Sequence, residues 1–162
     1  MEHTDGGRIR RHLVGDRLPR WAVIGSVVGL LGLASVAFLL GVNVRFYDFW
    51  GWLVIVPGTA VIAGIFGAGL VPTVGTLWLI SLWGYAFPPL VGYLSGEWMG
   101  AGRYTSPRML GFAYGSARAE LLGGLETSVN FGLALAVIVG TTGYVAGSVI
   151  SITQGGVSDL KE

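Results

Sequence analysis

Four charged side chains lie close together in one segment of an otherwise apolar chain. Arg103, Arg108, Arg118 and Glu120 all fall within residues 103–126. Guanidinium groups bind phosphates and carboxylates through paired hydrogen bonds, so the three arginines are candidate contacts for an anionic lipid or another anionic ligand. The alternative interpretation, which we favour, is that the arginines stay in water or meet phospholipid headgroups, as interfacial arginines do.

Other reactive groups are scarce in this sequence. The chain has no cysteine, which excludes thiolate catalysis, disulfides and iron–sulfur clusters. Its two histidines, His3 and His12, both precede the first apolar run, so no Ser–His pair can form in the membrane. Neither a metal-ligand cluster nor a glycine-rich phosphate loop can be found. We therefore predict no catalytic residues, no metal and no cofactor.

The charged residues leave three long apolar runs. Residues 21–44, 49–96 and 127–158 contain no Asp, Glu, Lys or Arg, and only 12% of all residues are charged. Soluble domains carry about 25% charged residues, and an uncharged apolar run of about 18 residues is a candidate membrane span. The sequence therefore predicts an integral membrane protein. Its net charge of +1 does not indicate a nucleic-acid partner.

We predict an all-α membrane bundle of four transmembrane helices with one interfacial amphipathic helix between the third and fourth. The run of 48 residues is too long for one helix, because it would extend about 72 Å across a hydrocarbon layer of about 30 Å. Gly67, Gly69 and Pro72 indicate where the chain turns back. The bundle covers residues 21–152, with spans at about 21–43, 51–69, 72–94 and 128–152, between tails at residues 1–20 and 153–162.

Both tails are predicted to lie in the cytoplasm, on one side of the plasma membrane. Residues 1–20 contain five arginines, and a basic segment next to a first span stays cytoplasmic. A rival topology has three spans with part of residues 49–96 re-entrant. It would place eight Lys and Arg inside and two outside, against six and four for four spans. We favour four spans because unsatisfied backbone groups are costly in lipid.

Two connecting segments have their own predictions. The aromatic connector VRFYDFWGW, residues 44–52, is expected at the headgroup level. Residues 106–123 are predicted to form the amphipathic helix, with Ser106 as N-cap and Gly123 and Gly124 ending it. Its apolar stripe consists of Leu110, Ala113, Tyr114, Ala117 and Leu121. Glu120 falls at the edge of this stripe, so the helix is expected to lie along the interface.

Small and weakly polar residues recur at helical spacing in the predicted spans. Small residues four apart let helices approach closely in lipid, where no hydrophobic force drives them together. The predicted packing residues are Gly25, Gly29, Gly64, Gly132, Gly140 and Gly147. A polar bundle face is predicted from Thr73, Thr76, Thr141, Tyr144, Ser148 and Ser151. Such a face could line a path for a neutral solute. The interpretation that we favour is that its hydroxyls form hydrogen bonds between helices.

The predicted spans contain no charged residue and no histidine. Ionisable groups inside a membrane mark most ion and proton pathways, so this argues against a proton-coupled carrier and a voltage sensor. We predict a structural or accessory subunit that binds lipid or another membrane protein, or associates with copies of itself. The runner-up is a small oligomeric channel or transporter for a neutral or weakly polar solute. The third hypothesis is an interfacial enzyme acting on lipid through the loop.

Overall fold

The computed structural model describes residues 10, 12–46, 49–96, 102–105 and 115–158 of the chain. Its elements are α1 (Arg17–Leu39), α2 (Trp52–Ile65), α3 (Leu70–Ser95), α4 (Ala117–Thr127), a π-helical turn (Ser128–Gly132) and α5 (Leu133–Ser158). Within these ranges the protein is helical and contains no strand.

Three helices in the described part of the chain are long and apolar enough to cross a membrane. They cover His12–Leu39, α3, and the uninterrupted helix Ala117–Gln154. Large apolar side chains on their outer faces are exposed, for example Leu33 at 73% and Ile138 at 62%. Such a surface suits lipid and not water, which makes a membrane bundle the natural interpretation of the fold.

The turn between α2 and α3 is held by the segment that precedes α1. The chain reverses at Phe66–Gly69, in the region where the sequence predicts a turn. Gly69 has φ of +94°, and a Cβ there would lie 2.5 Å from the backbone N of Gly15, which has φ of +72°. The backbone N–H of Asp16 also donates to the carbonyl of Gly67 at 3.1 Å. Two glycines in left-handed conformations therefore allow two backbones to touch.

Helices α1 and α3 run parallel and share side-chain contacts along their second halves. The indole N–H of Trp83 donates to Ser35 Oγ at 2.8 Å. The rings of Phe38 and Phe87 lie 5.7 Å apart in an edge contact. The N-termini of α1 and α3 therefore lie at the same end of the bundle.

Helices α2 and α5 also run parallel, and small residues form their interface. A Cβ built on Gly143 would lie 2.5 Å from the Cβ of Ala60, and one on Gly147 would lie 3.0 Å from the Cα of Gly64. These positions advance together along both helices. Close approach of this kind gives the van der Waals contact on which helix association in lipid depends.

Helix α2 is too short to cross a membrane alone and begins inside the bundle. Its 14 residues extend about 21 Å, less than a hydrocarbon layer of about 30 Å. Its first residue, Trp52, has its ring 5.6 Å from that of Trp83, which lies halfway along α3. Trp52 also donates from Nε1 to the carbonyl of Val44 at 2.9 Å. The predicted span 51–69 is thus replaced by a shorter helix.

The connector between α1 and α2 folds back into the bundle. The ring of Phe46 lies 5.3 Å from Trp52 and 5.8 Å from Tyr85. Trp52 is only 5% exposed, whereas Trp50 is 79% exposed. The expectation of an aromatic belt at headgroup level is therefore wrong for Phe46 and Trp52, which pack against α3; Tyr47 lies outside the described residues.

The interfacial helix predicted for residues 106–123 needs correction. Residues 106–114 lie outside the described residues, and the helix that begins at Ala117 does not end at Gly123 or Gly124 but continues into α5. Gly124 packs so closely on α3 that a Cβ would overlap the carbonyl oxygen of Tyr85. This tertiary contact keeps the glycines helical, because local stop signals are weak where backbones pack directly.

Candidate functional site

A cavity lies between α2, α3 and the long helix that begins at Ala117. Its volume is about 540 Å³, within the range of small-molecule sites, about 300–1,000 Å³. We call it the central groove. It is lined by Phe46, Trp50, Trp52, Leu53, Val56, Pro57, Leu77, Ile80, Ser81, Tyr85, Phe131, Gly132, Leu135, Ala136 and Val139. Leu53 and Phe131 are more than half exposed, so the groove opens sideways at the surface of the bundle.

Three irregularities of the backbone shape the central groove. Helix α2 begins beside it at Trp52, and Pro57 in its wall has no N–H for the carbonyl of Leu53. On the opposite side, Phe131 and Gly132 belong to the π-helical turn. Single π-helical turns inside α-helices occur frequently at functional sites. Because the start of α2, the proline and the π-helical turn all border the same cavity, the central groove is the leading candidate for a binding site.

Aromatic side chains form much of the groove wall. Phe46 meets Trp52 and Tyr85 edge to face, and Trp50 and Phe131 line the groove with larger exposed fractions. Aromatic rings offer large apolar surfaces and prefer edge or offset contacts with other rings. The groove can therefore hold an apolar or aromatic molecule.

Hydroxyl groups lie at and behind one wall of the groove. Ser81 lines the groove directly, and a Cβ on Gly132 would overlap Ser81 Oγ. The same Cβ would lie 3.8 Å from Ser128 Oγ. Ser128 is fully buried, and its hydroxyl has no hydrogen-bond partner among the described residues. A buried polar group without a partner is rare and calls for an explanation such as a bound ligand atom or water.

The π-helical turn that carries Ser128 is itself fixed by a hydrogen bond. The indole N–H of Trp78 donates to the carbonyl of Ser128 at 3.1 Å. The same carbonyl also accepts the backbone N–H of Leu133, so it receives one bond from its own helix and one from α3. The unpaired hydroxyl of Ser128 thus sits on a well-anchored backbone.

A second cavity of about 630 Å³ lies between α1 and α2. It is lined by Leu18, Pro19, Ala22, Val23, Ser26, Val27, Leu30, Thr59, Ile62 and Phe66. The hydroxyl of Thr59 already donates to the carbonyl of Ile55 at 2.7 Å. No unpaired buried side-chain atom is found next to this cavity among the described residues, so it offers weaker means of recognition than the central groove.

Arg103, a predicted contact for an anionic ligand, is engaged within the protein. Its guanidinium donates to the carbonyl of Phe38 at the end of α1. It also lies 4.7 Å from the ring of Phe38 and 5.2 Å from that of Tyr104. A cation at a helix C-terminus and over aromatic rings stabilises the fold. Of the other two arginines, Arg118 is exposed in the first turn of α4 and Arg108 lies outside the described residues.

The sequence predicts Glu120 at the edge of a surface helix. In the structure its side chain is instead fully buried in α4. The cause is the continuous helix, which turns this face of residues 117–127 toward α3. The predicted spans contain no charged residue and no histidine, but Glu120, which lies outside them in the predicted surface helix, adds a buried carboxyl group to the bundle. Buried carboxylates in membrane proteins are costly and often functional.

The predicted packing glycines divide into two sets. Gly64, Gly132, Gly140 and Gly147 all lie where an added Cβ would come within 3.0 Å of an atom of another helix. Gly25 and Gly29 lie on an exposed face of α1, where an added Cβ meets no atom within 4 Å. The first set mediates contacts within the described bundle, whereas the second leaves a smooth outer face.

The predicted polar face consists largely of hydroxyls that bond their own helix. In α3, Thr73 and Thr76 are buried and donate to the carbonyls of Gly69 and Thr73 at 2.7 and 2.8 Å. Because both hydroxyls already donate to carbonyls of their own helix and are buried, they do not line a polar path.

In α5, Ser148 donates to the carbonyl of Tyr144 at 2.9 Å and approaches the carbonyl of Gly64 on α2 at 3.5 Å. Ser151 donates to the carbonyl of Ser148 at 3.1 Å, and Thr141 is partly buried. Within the described residues, the contact of Ser148 with Gly64 is the one by which a hydroxyl of this set reaches another helix, and it lies at the limit of hydrogen-bond length.

Sequence reasoning missed Ser81, which lines the central groove, and Ser128, which is buried near Gly132. Ser81 is an isolated serine in an apolar run and Ser128 follows Glu126 and Thr127, and neither pattern distinguishes a binding residue from a packing residue. Within the described ranges, no group of three or more His, Cys, Asp or Glu could hold a metal ion. No protein-family model matches the sequence, and no curated protein or solved structure is significantly similar to it.

Proposed function

We propose that this chain is a multi-pass membrane subunit that binds a lipid molecule in the central groove. The supporting observation is the groove itself, an apolar cavity of about 540 Å³ that opens sideways between helices of membrane-spanning length. A lateral opening at this depth faces acyl chains and not water. A molecule dissolved in the bilayer can therefore enter without crossing a polar surface.

The membrane arrangement that goes with this function has four crossings. The three long helices supply three, and the connector 40–51 together with α2 supplies the fourth. Non-helical backbone at membrane depth is tolerated when protein surrounds it, as α3 does here through the contacts of Phe46 and Trp52. Both tails then lie on one side, and the N-terminal arginines favour the cytoplasmic side of a plasma membrane.

Native mass spectrometry of the purified protein tests lipid binding. We expect a retained lipid that is lost in Leu53→Trp, since Leu53 is 67% exposed at the groove opening and a larger side chain would block it. Leu33→Trp is the matched control, because Leu33 is 73% exposed on α1 and lines neither cavity. Equal lipid retention by both variants, or none in the unmodified protein, would contradict the proposal.

A small transporter for a neutral or weakly polar solute is the second candidate. It is favoured by the interrupted crossing at Trp52, because transporters place binding sites where a membrane helix is broken near the bilayer centre. Proteoliposome swelling in glycerol would test it. Swelling that is faster than in empty liposomes and is abolished by Leu53→Trp would support transport; the rate of empty liposomes would exclude it.

Association with another copy or another membrane protein is proposed for the exposed face of α1. Gly25 and Gly29 have no side chains here, and no atom lies within 4 Å of either Cβ position. In lipid, such a face permits close contact with a second helix. Cross-linking in membranes should give a dimer that Gly25→Leu abolishes and Gly75→Leu, also in open space, preserves. Unchanged cross-linking in Gly25→Leu would contradict this role.

A further inference from the structure

The chemistry of the groove wall specifies the kind of lipid more narrowly. We propose that the central groove binds a neutral lipid with a planar ring that carries a carbonyl or hydroxyl oxygen, the chemistry of quinones and quinols, with the oxygen at Ser81. This inference rests on the proposed lipid-binding function. It commits to binding alone and requires no electron transfer.

The ring is inferred from the composition of the wall. Five of the lining residues are aromatic: Phe46, Trp50, Trp52, Tyr85 and Phe131. A saturated acyl chain needs only aliphatic contacts, whereas a planar ring gains additional stabilisation from edge or offset contacts with other rings. Trp50 and Phe131, at 79% and 54% exposure, have surface still available for such contacts.

The oxygen is inferred from the hydroxyl beside Gly132. Ser81 lines the groove, and its Oγ occupies the space that a side chain on Gly132 would fill. A hydroxyl in the wall of an apolar groove loses its water partners when a purely hydrocarbon ligand fills the groove, which is costly. A ligand oxygen, directly or through one water, supplies a partner to Ser81.

Neutrality follows from the absence of a counter-charge. None of the described residues that line the groove is charged. An ionised headgroup held at this depth would have no partner, and burying an unpaired charge costs far more than a hydroxyl contact returns. The groove therefore selects against phospholipid headgroups and admits only a neutral polar group.

Three probes with the same alkyl chain separate ring from oxygen. Decylubiquinone carries both, decylbenzene only the ring, and 1-decanol only the oxygen. Binding of decylubiquinone to the intact chain in detergent is followed by quenching of tryptophan fluorescence, and the other two probes are measured as competitors. We expect decylubiquinone to bind at least about tenfold more tightly than either competitor, equivalent to one good additional contact.

Serine variants locate the oxygen. Ser81→Ala should weaken decylubiquinone binding about two- to tenfold, the range for one lost neutral hydrogen bond, and leave decylbenzene unchanged. Ser26→Ala, at the cavity between α1 and α2, is the matched control and should change neither. If Ser81→Ala does not fold, Ser81→Thr, which keeps a hydroxyl, must retain preference for decylubiquinone over decylbenzene.

The outcomes distinguish this inference from the function on which it rests. Equal affinity for all three probes, or for decylubiquinone and decylbenzene, overturns the assignment of an oxygen-bearing ring but leaves lipid binding intact. Unchanged decylubiquinone affinity in Ser81→Ala overturns the role of Ser81. Failure of every probe to bind, together with no lipid in native mass spectra, removes the lipid-binding function as well.

Discussion

Trp52, the first residue of α2, packs 5.6 Å from Trp83 at the midpoint of α3, so α2 begins in the interior of the bundle. A helix that begins there needs acceptors for the N–H groups of its first turn. The connector supplies them, because the carbonyls of Phe49, Trp50 and Gly51 accept the N–H groups of the first three residues of α2 at 3.0 to 3.3 Å. The same interruption opens the central groove, so the break in the helix and the candidate binding site have one structural origin.

Adding a methyl group to a glycine at a helix contact should destabilise the protein, whereas adding one to a glycine on the outer surface should not. A Cβ on Gly147 would overlap the carbonyl oxygen of Val61, a backbone atom that cannot move aside. Gly147→Ala should therefore lower the free energy of unfolding by about 1–3 kcal/mol. Gly75→Ala meets no atom within 4 Å and should be neutral or raise stability by up to about 1 kcal/mol through helix propensity.

Thermal unfolding in detergent, followed by tryptophan fluorescence, measures both glycine variants. The comparison is matched because each change adds one methyl group inside a helix. A similar loss of stability in the two variants would contradict the helix contacts described between α2 and α5.

Arg103 should act on stability and not on anionic ligands. Arg103→Ala removes a charged hydrogen bond to the Phe38 carbonyl and a contact with two rings. A loss of about 1.5–3 kcal/mol is expected for a hydrogen bond from a charged group. Hydrogen exchange of the amides at the end of α1 should accelerate, whereas Arg118→Ala, at an exposed site, should leave them unchanged. Unaltered exchange in Arg103→Ala would show that this cap does not form.

Much of the architecture is accessible from the sequence because charge placement and helix length are local properties. The uncharged runs predict α1, α3 and α5, and the turn at Gly67–Gly69 is indicated by its own residues. The continuity of the helix through Gly123 and Gly124 cannot be predicted in this way. It depends on the contact of Gly124 with Tyr85, which is distant in sequence.

The candidate site was less predictable than the fold because it also depends on contacts between residues that are distant in sequence. Ser128 follows Glu126 and Thr127 in a short polar stretch, and only its burial without a partner among the described residues distinguishes it. Glu120 follows Arg118 in a mixed segment that has the composition of a surface helix. Its burial depends on the direction in which the long helix packs on α3, and a single sequence carries no information on that direction.

Ser128 should be a site where removal of a hydroxyl stabilises the ligand-free protein. Its Oγ has no partner among the described residues, and an unsatisfied buried hydroxyl costs about 1–3 kcal/mol. Ser128→Ala should therefore raise the unfolding temperature in detergent. Ser35→Ala, the same change at a serine that accepts a hydrogen bond from Trp83, should lower it. A destabilised Ser128→Ala would indicate a partner held in the purified protein.

Glu120 should contribute more to stability than the other glutamate of α4. It is fully buried, whereas Glu126 is exposed. Glu120→Ala should destabilise the protein by about 2–4 kcal/mol, because it combines an interior cavity with the loss of buried polar contacts. Glu126→Ala should leave the thermal unfolding curve unchanged. Indistinguishable curves for the two variants would place Glu120 at the surface, as the sequence pattern suggests.

The contact between the connector and α3 is tested at Gly84, the position on α3 against which the ring of Phe46 packs. A Cβ on Gly84 would overlap this ring, whereas one on Gly75, in the same helix, meets nothing within 4 Å. Gly84→Ala should displace Phe46, lower stability by about 1–3 kcal/mol and widen the groove; Gly75→Ala should not. Because the chain has no cysteine, a single cysteine at Val44 can report the displacement. Its labelling by a maleimide should accelerate in Gly84→Ala, and an unchanged rate would mean that the connector does not enter the bundle.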